Sequence, residues 1–145
     1  MKDAFLQYLK GISLTDVLIN RIEKVISSYQ QFYPEEIVDI YVSEFITEDG
    51  IREYDSLWLF SEKYCMEATK FITNDDFDIT PLKNQIHYIR IKKQEYDFNG
   101  ITEKSRLTIQ ISLEYPLSGD LKGSKENCDY LMKILTKHIL PNLIS

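Results

Sequence analysis

The chain of 145 residues is long enough to bury a hydrophobic core as one domain without disulfides or metals. Its formal net charge of −6 argues against a nucleic acid or an anionic membrane as partner, because both require clustered cations. It has no apolar run near the roughly 18–20 residues of a membrane helix, and its first residues lack a signal-peptide core, so we expect a cytoplasmic protein.

Residues 1–34 predict an N-terminal helical extension. A short helix from Asp3 to Lys10 ends at Gly11, the usual left-handed stop. Ser13 is the predicted N-cap of a second helix, which ends at Pro34. Its apolar side chains recur at intervals of three and four, so they form a stripe that needs a docking surface: Leu14, Leu18, Ile22, Val25 and Tyr29.

The following segment predicts a meander of antiparallel strands. Asp49-Gly50 supplies a tight turn, because both residues tolerate a positive φ. Leu57 to Phe60 is apolar at every position, and a strand that is apolar on both faces needs cover on both. The three strands are Ile37 to Phe45, Ile51 to Phe60 and Tyr64 to Ile72.

The second half of the chain predicts more strands and a last helix. Ile86 to Phe98 is predicted to form a long strand or a bent pair of strands, followed by an Asn99-Gly100 turn. Residues 106–115 alternate strictly between apolar and polar. Pro116 to Gly123 is interpreted as a flexible loop, and Ser124 as the cap of an amphipathic helix. The whole is an α+β domain, with an antiparallel sheet of five to seven strands at 35–116 and a C-terminal helix at 124–140.

No pattern indicates catalysis. The chain lacks a phosphate-binding glycine loop and the common zinc and nucleophile motifs. His87, His138 and the cysteines Cys65 and Cys128 have no ligand spacing, so we expect reduced thiols and structural histidines, with no metal and no cofactor. The acidic segment around Asp76 departs from a calcium loop at the required glycine and glutamate. We therefore predict a protein that is not an enzyme.

The element order from Leu57 onward resembles the small pleckstrin-homology-like (PH-like) domains of bacteria and their eukaryotic relatives. The resembling stretch covers roughly Ile37 to Leu140, and its successive segments read LWLF, SEKYCMEATKF, FDITPLKNQIHYIRIKK and SRLTIQISL before the terminal helix. The resemblance implies a bent antiparallel barrel that the C-terminal helix plugs at one end. It also implies a use in binding, either of anionic lipid head groups or of peptides and protein surfaces.

Charge favours the second of these uses. The first hairpin loop, residues 47–52, carries one cation after two acids, where head-group binding needs several cations. Arg90, Lys92 and Lys93 stand next to Glu95 and are interpreted as a solvated face. We therefore expect a protein partner. The alternatives are a secretion-chaperone-like dimer, which requires a helix near Ile79 to Asn84, an immunity-type inhibitor, and a small-ligand-binding protein.

The sequence also predicts an interface between the helix stripe and the second strand. The helix stripe needs a sheet, and the outer face of the second strand needs cover, so we expect the two to meet within one chain or across a homodimer. The residues predicted to form this interface are Tyr54, Trp58, Phe60, Leu18 and Ile22.

Overall fold

The computed structural model describes residues 1–46, 51–69, 78–79, 81–94, 106–113 and 118–144. These residues contain the helices α1 (Asp3–Gly11), α2 (Asp16–Phe32) and α3 (Glu126–Ile134). Helix α3 continues into a π-helical turn (Leu135–Ile139) and a 3-10 turn (Leu140–Asn142). Within the described ranges, no helix combines the length and the apolar character needed to cross a bilayer.

The strands form two antiparallel sheets. The first sheet has the order β1-β2-β3, and two short strands both pair with β3. The second sheet has the order β6-β7-β8. The strands of the first sheet are β1 (Asp39–Ile46), β2 (Arg52–Phe60), β3 (Tyr64–Thr69), β4 (Asp78–Ile79) and β5 (Leu82–Lys83). Those of the second are β6 (Tyr88–Gln94), β7 (Arg106–Ser112) and β8 (Ser118–Ser124).

The predicted α+β class, with helices at both ends and antiparallel strands between them, is confirmed. The strands do not close into a barrel, however, because the described parts of β1 and β8 share no ladder of backbone hydrogen bonds. Side chains join these two edges instead. The Ser43 hydroxyl accepts a hydrogen bond from the Lys122 amide at 2.9 Å, and the Tyr41 hydroxyl donates to the Lys122 carbonyl at 2.7 Å.

The segment that was expected to be a loop at 116–123 contributes a strand. Residues 118–124 pair with β7 along the full length of β8. Glycines occur here because of packing rather than turning: a Cβ at Gly119 would lie 2.5 Å from two carbons of the Trp58 ring, and one at Gly123 would lie 2.5 Å from the Tyr41 hydroxyl. The glycines of β8 therefore let the second sheet approach large aromatic side chains of the first.

Both predicted serine caps are wrong. Ser13 takes a left-handed conformation (φ 64°) in the turn after α1, and Thr15 caps α2 by accepting a hydrogen bond from the Leu18 amide. Ser124 points its hydroxyl at the buried Glu44 carboxylate, so α3 begins without a side-chain cap. The predicted turns at Asp49-Gly50 and Asn99-Gly100 lie outside the described residues.

Both faces of β2 are covered within the chain. Trp58 is 2% exposed and contacts Gly119 of β8, while the Phe60 ring stacks on His138 at a centroid distance of 4.9 Å. Leu57 and Leu59, which point to the opposite face, are also buried. We conclude that β8 and the C-terminal helix contribute to the cover of the Trp58 and Phe60 face, while Tyr54 of β2 contacts the chain at the end of α1 through the Ile12 carbonyl.

The sequence predicts that one stripe of the C-terminal helix is buried, formed by Cys128, Leu131, Met132, Leu135 and Ile139. Leu131, Leu135 and Ile139 are buried as predicted, whereas Met132 is exposed and Ile134, which was predicted to lie off the stripe, is buried. A π-helical turn departs from the 3.6-residue period on which the prediction rests. His138 and Ile139, which belong to this turn, are both buried.

Candidate functional site

The candidate site is the outer edge of β6. This strand pairs with β7 through all seven of its residues, from Tyr88↔Ser112 to Gln94↔Arg106. No other strand in the described part of the chain pairs with its second edge. Exposed edges of this length carry unsatisfied amide and carbonyl groups and are sites at which another chain can add a strand.

The face of the second sheet that points to the core is incompletely covered at this edge. Ile109 and Ile111 of β7 are buried, and so is Leu121 of β8. Their neighbours on β6 are less protected, since Ile89 is half-buried and Ile91 is 49% exposed. The protein therefore covers this face up to β7 and leaves an apolar margin along β6.

The opposite face of the same sheet is polar and rich in cations. Here the register places Arg90 beside Gln110 of β7, and Lys92 beside Thr108. Both cations are exposed, and their direct neighbours across the ladder are uncharged. An acid, Asp120, stands opposite Gln110 on β8, one strand further from Arg90. In an acidic protein, the β6 edge is thus locally positive.

The C-terminal tail lies beside the beginning of β6. Ile86 forms a parallel bridge with Leu143, because its amide donates to the Asn142 carbonyl and its carbonyl accepts from the Ile144 amide, at 2.9 and 2.8 Å. Leu143 and Ile144 expose apolar surface next to this bridge. Tyr88, at the start of the strand, is also exposed, and the register places it on the same face as Arg90 and Lys92.

A second notable cluster surrounds Glu44, whose side chain is buried. The Arg52 Nε donates to its Oε2 at 2.7 Å, and the Asn127 Nδ2 donates to the same oxygen at 3.0 Å. Ser124 donates to Oε1. Asn127 also accepts a hydrogen bond from the Tyr8 hydroxyl at 2.9 Å. The cluster therefore ties α1, both sheets and the start of α3 together.

The protonation state of Arg52 is fixed by this cluster. Burial by itself lowers the pKa of the guanidinium, but hydrogen bonds to Glu126 and Glu44 outweigh it and raise the pKa above its ordinary value. A permanently charged arginine between two carboxylates cannot transfer protons near neutral pH. The cluster is therefore a structural element rather than acid–base machinery.

A polar cavity of about 210 Å³ lies beside this cluster. Its lining includes Glu44 of β1, Arg106 and Thr108 of β7, and Lys122 and Ser124 of β8. The Glu44 oxygens already accept the hydrogen bonds described above. The lining thus combines one acid, which is already bound within the protein, with two cations.

The cysteines and histidines do not form a reactive site. Burial raises the pKa of the Cys65 thiol to about 12, so this thiol is protonated and poorly nucleophilic at neutral pH. Cys128 is half-buried, and the two cysteines are not joined in a disulfide. His87 is exposed, whereas His138 is buried against Phe60. Across the described ranges, no three side chains of His, Cys, Asp or Glu form a group that could hold a metal ion.

Asp39 links the first strand to the C-terminal helix. Its Oδ2 lies 2.5 Å from His138 Nε2 and 2.8 Å from Lys137 Nζ. Burial raises the pKa of this carboxyl, but the hydrogen bonds from His138 and Lys137 outweigh burial and hold the pKa below its ordinary value. A carboxyl with a lowered pKa stabilises the fold above its unfolded-state pKa and loses that contribution as the pH falls through its folded-state pKa.

We therefore expect Asp39→Asn to lower the free energy of unfolding at pH 7 by about 1 kcal/mol, discounted for partial exposure. The variant should also lose stability less steeply than the wild type below about pH 4, since the group that titrates is absent. Urea unfolding at a series of pH values measures both effects. Glu62→Gln, at an exposed position, is the matched control. The expectation would be contradicted if, below about pH 4, the free energy of unfolding fell equally steeply with pH in the wild type and in Asp39→Asn.

The structure places the residues of the predicted interface as follows. Ile22, Trp58 and Phe60 are buried inside the chain, and Leu18 is half-buried. Tyr54 is half-buried and donates a hydrogen bond to the Ile12 carbonyl at 2.6 Å. The buried three already have intramolecular neighbours, and an interface between chains at these positions stays a prediction.

The β6 edge was not among the residues predicted to bind. Its cations are visible in the sequence, but their position on an unpaired edge depends on the assembly of the second sheet. No protein-family model, curated protein or solved structure matches this chain. The resemblance to PH-like domains therefore stays a prediction.

Proposed function

We propose that this protein is a non-enzymatic protein-binding module, PH-like in the order of its elements, that binds an extended segment of another protein as an added strand on β6. The unpaired edge of β6 within the described residues carries this proposal. In an antiparallel pair, every second residue directs its amide and carbonyl away from the partner strand. An added strand would accept and donate these hydrogen bonds.

Apolar contact supplies a further part of the affinity. A strand beside β6 would cover Ile91, which is 49% exposed, and complete the cover of Ile89. Burying the remaining apolar surface of one isoleucine contributes roughly 1–2 kcal/mol. Tyr88, on the face that carries Arg90 and Lys92, and Leu143 of the tail expose further apolar surface near this edge.

The chain itself provides an example of such pairing. The tail adds backbone hydrogen bonds to Ile86, two residues before β6 begins. The edge along residues 86–94 thus already accepts one short strand-like segment at its start. The proposal extends this pairing to a segment from another protein along β6.

Two observations favour this function over the chaperone-like alternative. The helix that a chaperone-like fold requires near Ile79 to Asn84 is not seen there, since the described residues of this segment form β4 and β5. The order of two antiparallel sheets and a closing helix supports the PH-like resemblance instead. PH-like domains are used for docking peptides and protein surfaces, as this proposal requires.

Selection from a displayed library of random 12-residue segments tests the proposal. We expect enriched peptides that shift the ¹⁵N-labelled amides of β6 and of residues 142–144, with nuclear Overhauser contacts to β6. Ile91→Ser should weaken their binding about tenfold, because the exposed isoleucine contributes apolar contact. Val17→Ser removes an exposed apolar side chain from α2 and should not change affinity.

Three results would overturn the proposal. One is a selection that enriches no peptide. Another is a set of peptides whose amide shifts fall elsewhere in the protein. The third is an equal loss of affinity in Ile91→Ser and Val17→Ser.

A further inference from the structure

We infer that the segment recognised by β6 alternates acidic with apolar residues, an inference that rests on the proposed strand addition. Side chains of an added strand alternate between the two faces of the sheet. On one face they would lie beside Ile89 and Ile91, and on the other beside Arg90 and Lys92. Directly opposed side chains in neighbouring strands have Cβ atoms about 4.5–5.5 Å apart. The side chains on each face of β6 would therefore contact every second residue of the segment.

The cations on the polar face lack an acid on the strand that they pair with. Arg90 stands across from Gln110, and Lys92 across from Thr108. The second strand away holds Asp120 in the row of Arg90, but it holds Lys122 in the row of Lys92. At about 4.8 Å per strand, these side chains start roughly 10 Å from the β6 residues. An acidic residue on an added strand would be the nearer partner for both cations.

The same cations argue against a second copy of this chain as the occupant. Two β6 strands paired edge to edge would bring Arg90 and Lys92 of each copy close to those of the other. Like charges opposite one another destabilise a strand pair. Natural edge strands use such charges to prevent self-pairing. The charges of β6 therefore disfavour pairing with a second copy of the chain and favour a segment of opposite charge.

The overall charge of −6 does not oppose this selectivity. At physiological ionic strength, charges separated by more than about 8 Å are largely screened. The electrostatic interaction of an acidic residue in contact with Arg90 or Lys92 is thus dominated by these cations, because the repulsion from more distant acids is screened. The acidic remainder of the protein still weakens encounters with acidic proteins that do not fit β6.

Three synthetic octapeptides test the inference: an alternating Val-Glu peptide, an alternating Val-Lys peptide and an alternating Val-Ser peptide. Titration into the full-length protein, followed by amide shifts of β6, gives the affinities. We expect the Val-Glu peptide to bind about tenfold or more tightly than the Val-Lys peptide, with the Val-Ser peptide between them. The preference should diminish in 1 M salt, because the ion pairs are exposed.

Charge reversal on the protein gives the decisive comparison. In the double variant Arg90→Glu, Lys92→Glu the order should invert, so that the Val-Lys peptide binds more tightly than the Val-Glu peptide. Lys10→Glu, Lys24→Glu makes the same change in net charge at exposed positions of α1 and α2 and should keep the original order. An inverted order also shows that the variant is folded.

The outcomes separate this inference from the proposed function. If all three peptides bind at β6 with equal affinity, strand addition holds and the acidic preference is wrong. A preference for the Val-Lys peptide, or an acidic preference that survives the β6 charge reversal, overturns the inference as well. If none of the peptides shifts the β6 amides and the library selection also fails, strand addition itself is wrong.

Discussion

Replacing Trp58 with alanine should lower the free energy of unfolding by about 3–5 kcal/mol. The ring is 2% exposed, stacks against Phe60 at 6.4 Å between centroids, and contacts Gly119 of the second sheet. Its removal leaves a cavity where the two sheets meet, and the glycine opposite has no side chain with which to fill it. Urea unfolding, followed by circular dichroism since the only tryptophan is lost, measures the change.

A second substitution identifies the contact responsible. Gly119→Ala places a Cβ 2.5 Å from two ring carbons of Trp58, so it should be destabilising in the wild-type protein. In the Trp58→Ala background the same methyl group enters the vacated space, and the cost should fall to nearly zero or reverse. The double-mutant cycle therefore gives a coupling energy above about 1 kcal/mol.

Two results would show that Trp58 is not packed between the sheets. One is an unchanged urea midpoint in Trp58→Ala. The other is additive behaviour of Trp58→Ala and Gly119→Ala. In the wild-type protein, the same packing predicts that iodide will not quench Trp58 fluorescence until the protein unfolds.

The elements that could be predicted from the sequence are those in which the period of the apolar residues matches the side that is buried in the folded protein. Strand β7 alternates strictly because one face meets the core and the other meets solvent, and its residues Leu107, Ile109 and Ile111 are buried as expected. The stripe of α2 was also predictable, although Ile19 is buried where Leu18 is only half-buried. In both elements the local period and the tertiary environment agree.

Strand β8 could not be predicted, because its glycines are required by contacts with residues that are distant in the sequence. The segment SGDLKGS has the composition of a loop. Gly119 and Gly123 occur in it because Trp58 and Tyr41 approach so closely that a side chain would clash. These aromatic residues lie in β1 and β2, far away in the chain. A glycine required by packing cannot be distinguished in the sequence from one required by a turn.

The faces of β2 were misassigned for a related reason. The prediction placed Tyr54, Trp58 and Phe60 on one face by simple alternation. A register shift between Ser43 and Glu44 interrupts the pairing of β1 with β2, and a bulge of this kind changes which face the following side chains occupy. Tyr54 accordingly contacts the end of α1, whereas Trp58 contacts β8.

The binding edge depends on tertiary structure in the same way. The sequence shows the cations of β6, and alternation there is too weak to place Ile91 on the face that continues the core. Only the register with Ile109, which is fully buried, shows that the apolar row extends to an uncovered position. Charge and an apolar margin along one strand, whose second edge has no partner among the described residues, together support the proposed binding role.

Glu44→Gln should be the second large perturbation, with a loss of about 3 kcal/mol in the free energy of unfolding. The side chain is 2% exposed, and its Oε2 accepts hydrogen bonds from both Arg52 and Asn127. Glutamine keeps the shape but removes the charge, so Arg52 is left partly buried with Glu126 as its remaining acidic partner. Glutamine also replaces one acceptor oxygen with an amide nitrogen, whose N–H groups then face the donors that the carboxylate accepted from.

Glu126→Gln is the matched control, because it removes the other carboxylate bound to the same guanidinium. The Glu126 side chain is 42% exposed, and surface ion pairs contribute at most about 1 kcal/mol. High salt sharpens the contrast, since 1 M salt screens the exposed pair much more than the buried one. The cost of Glu126→Gln should therefore shrink with added salt while that of Glu44→Gln persists.

The Arg52→Gln variant completes the test of the buried pair. Arg52→Gln alone leaves a buried carboxylate without its cation and should cost about as much as Glu44→Gln. Combining the two removes both charges, so the double variant should be more stable than the sum of the single losses predicts, by more than about 1 kcal/mol. Additive losses would mean that the pair does not act as a unit. Glu44 and Arg52 would then stabilise the protein independently of one another.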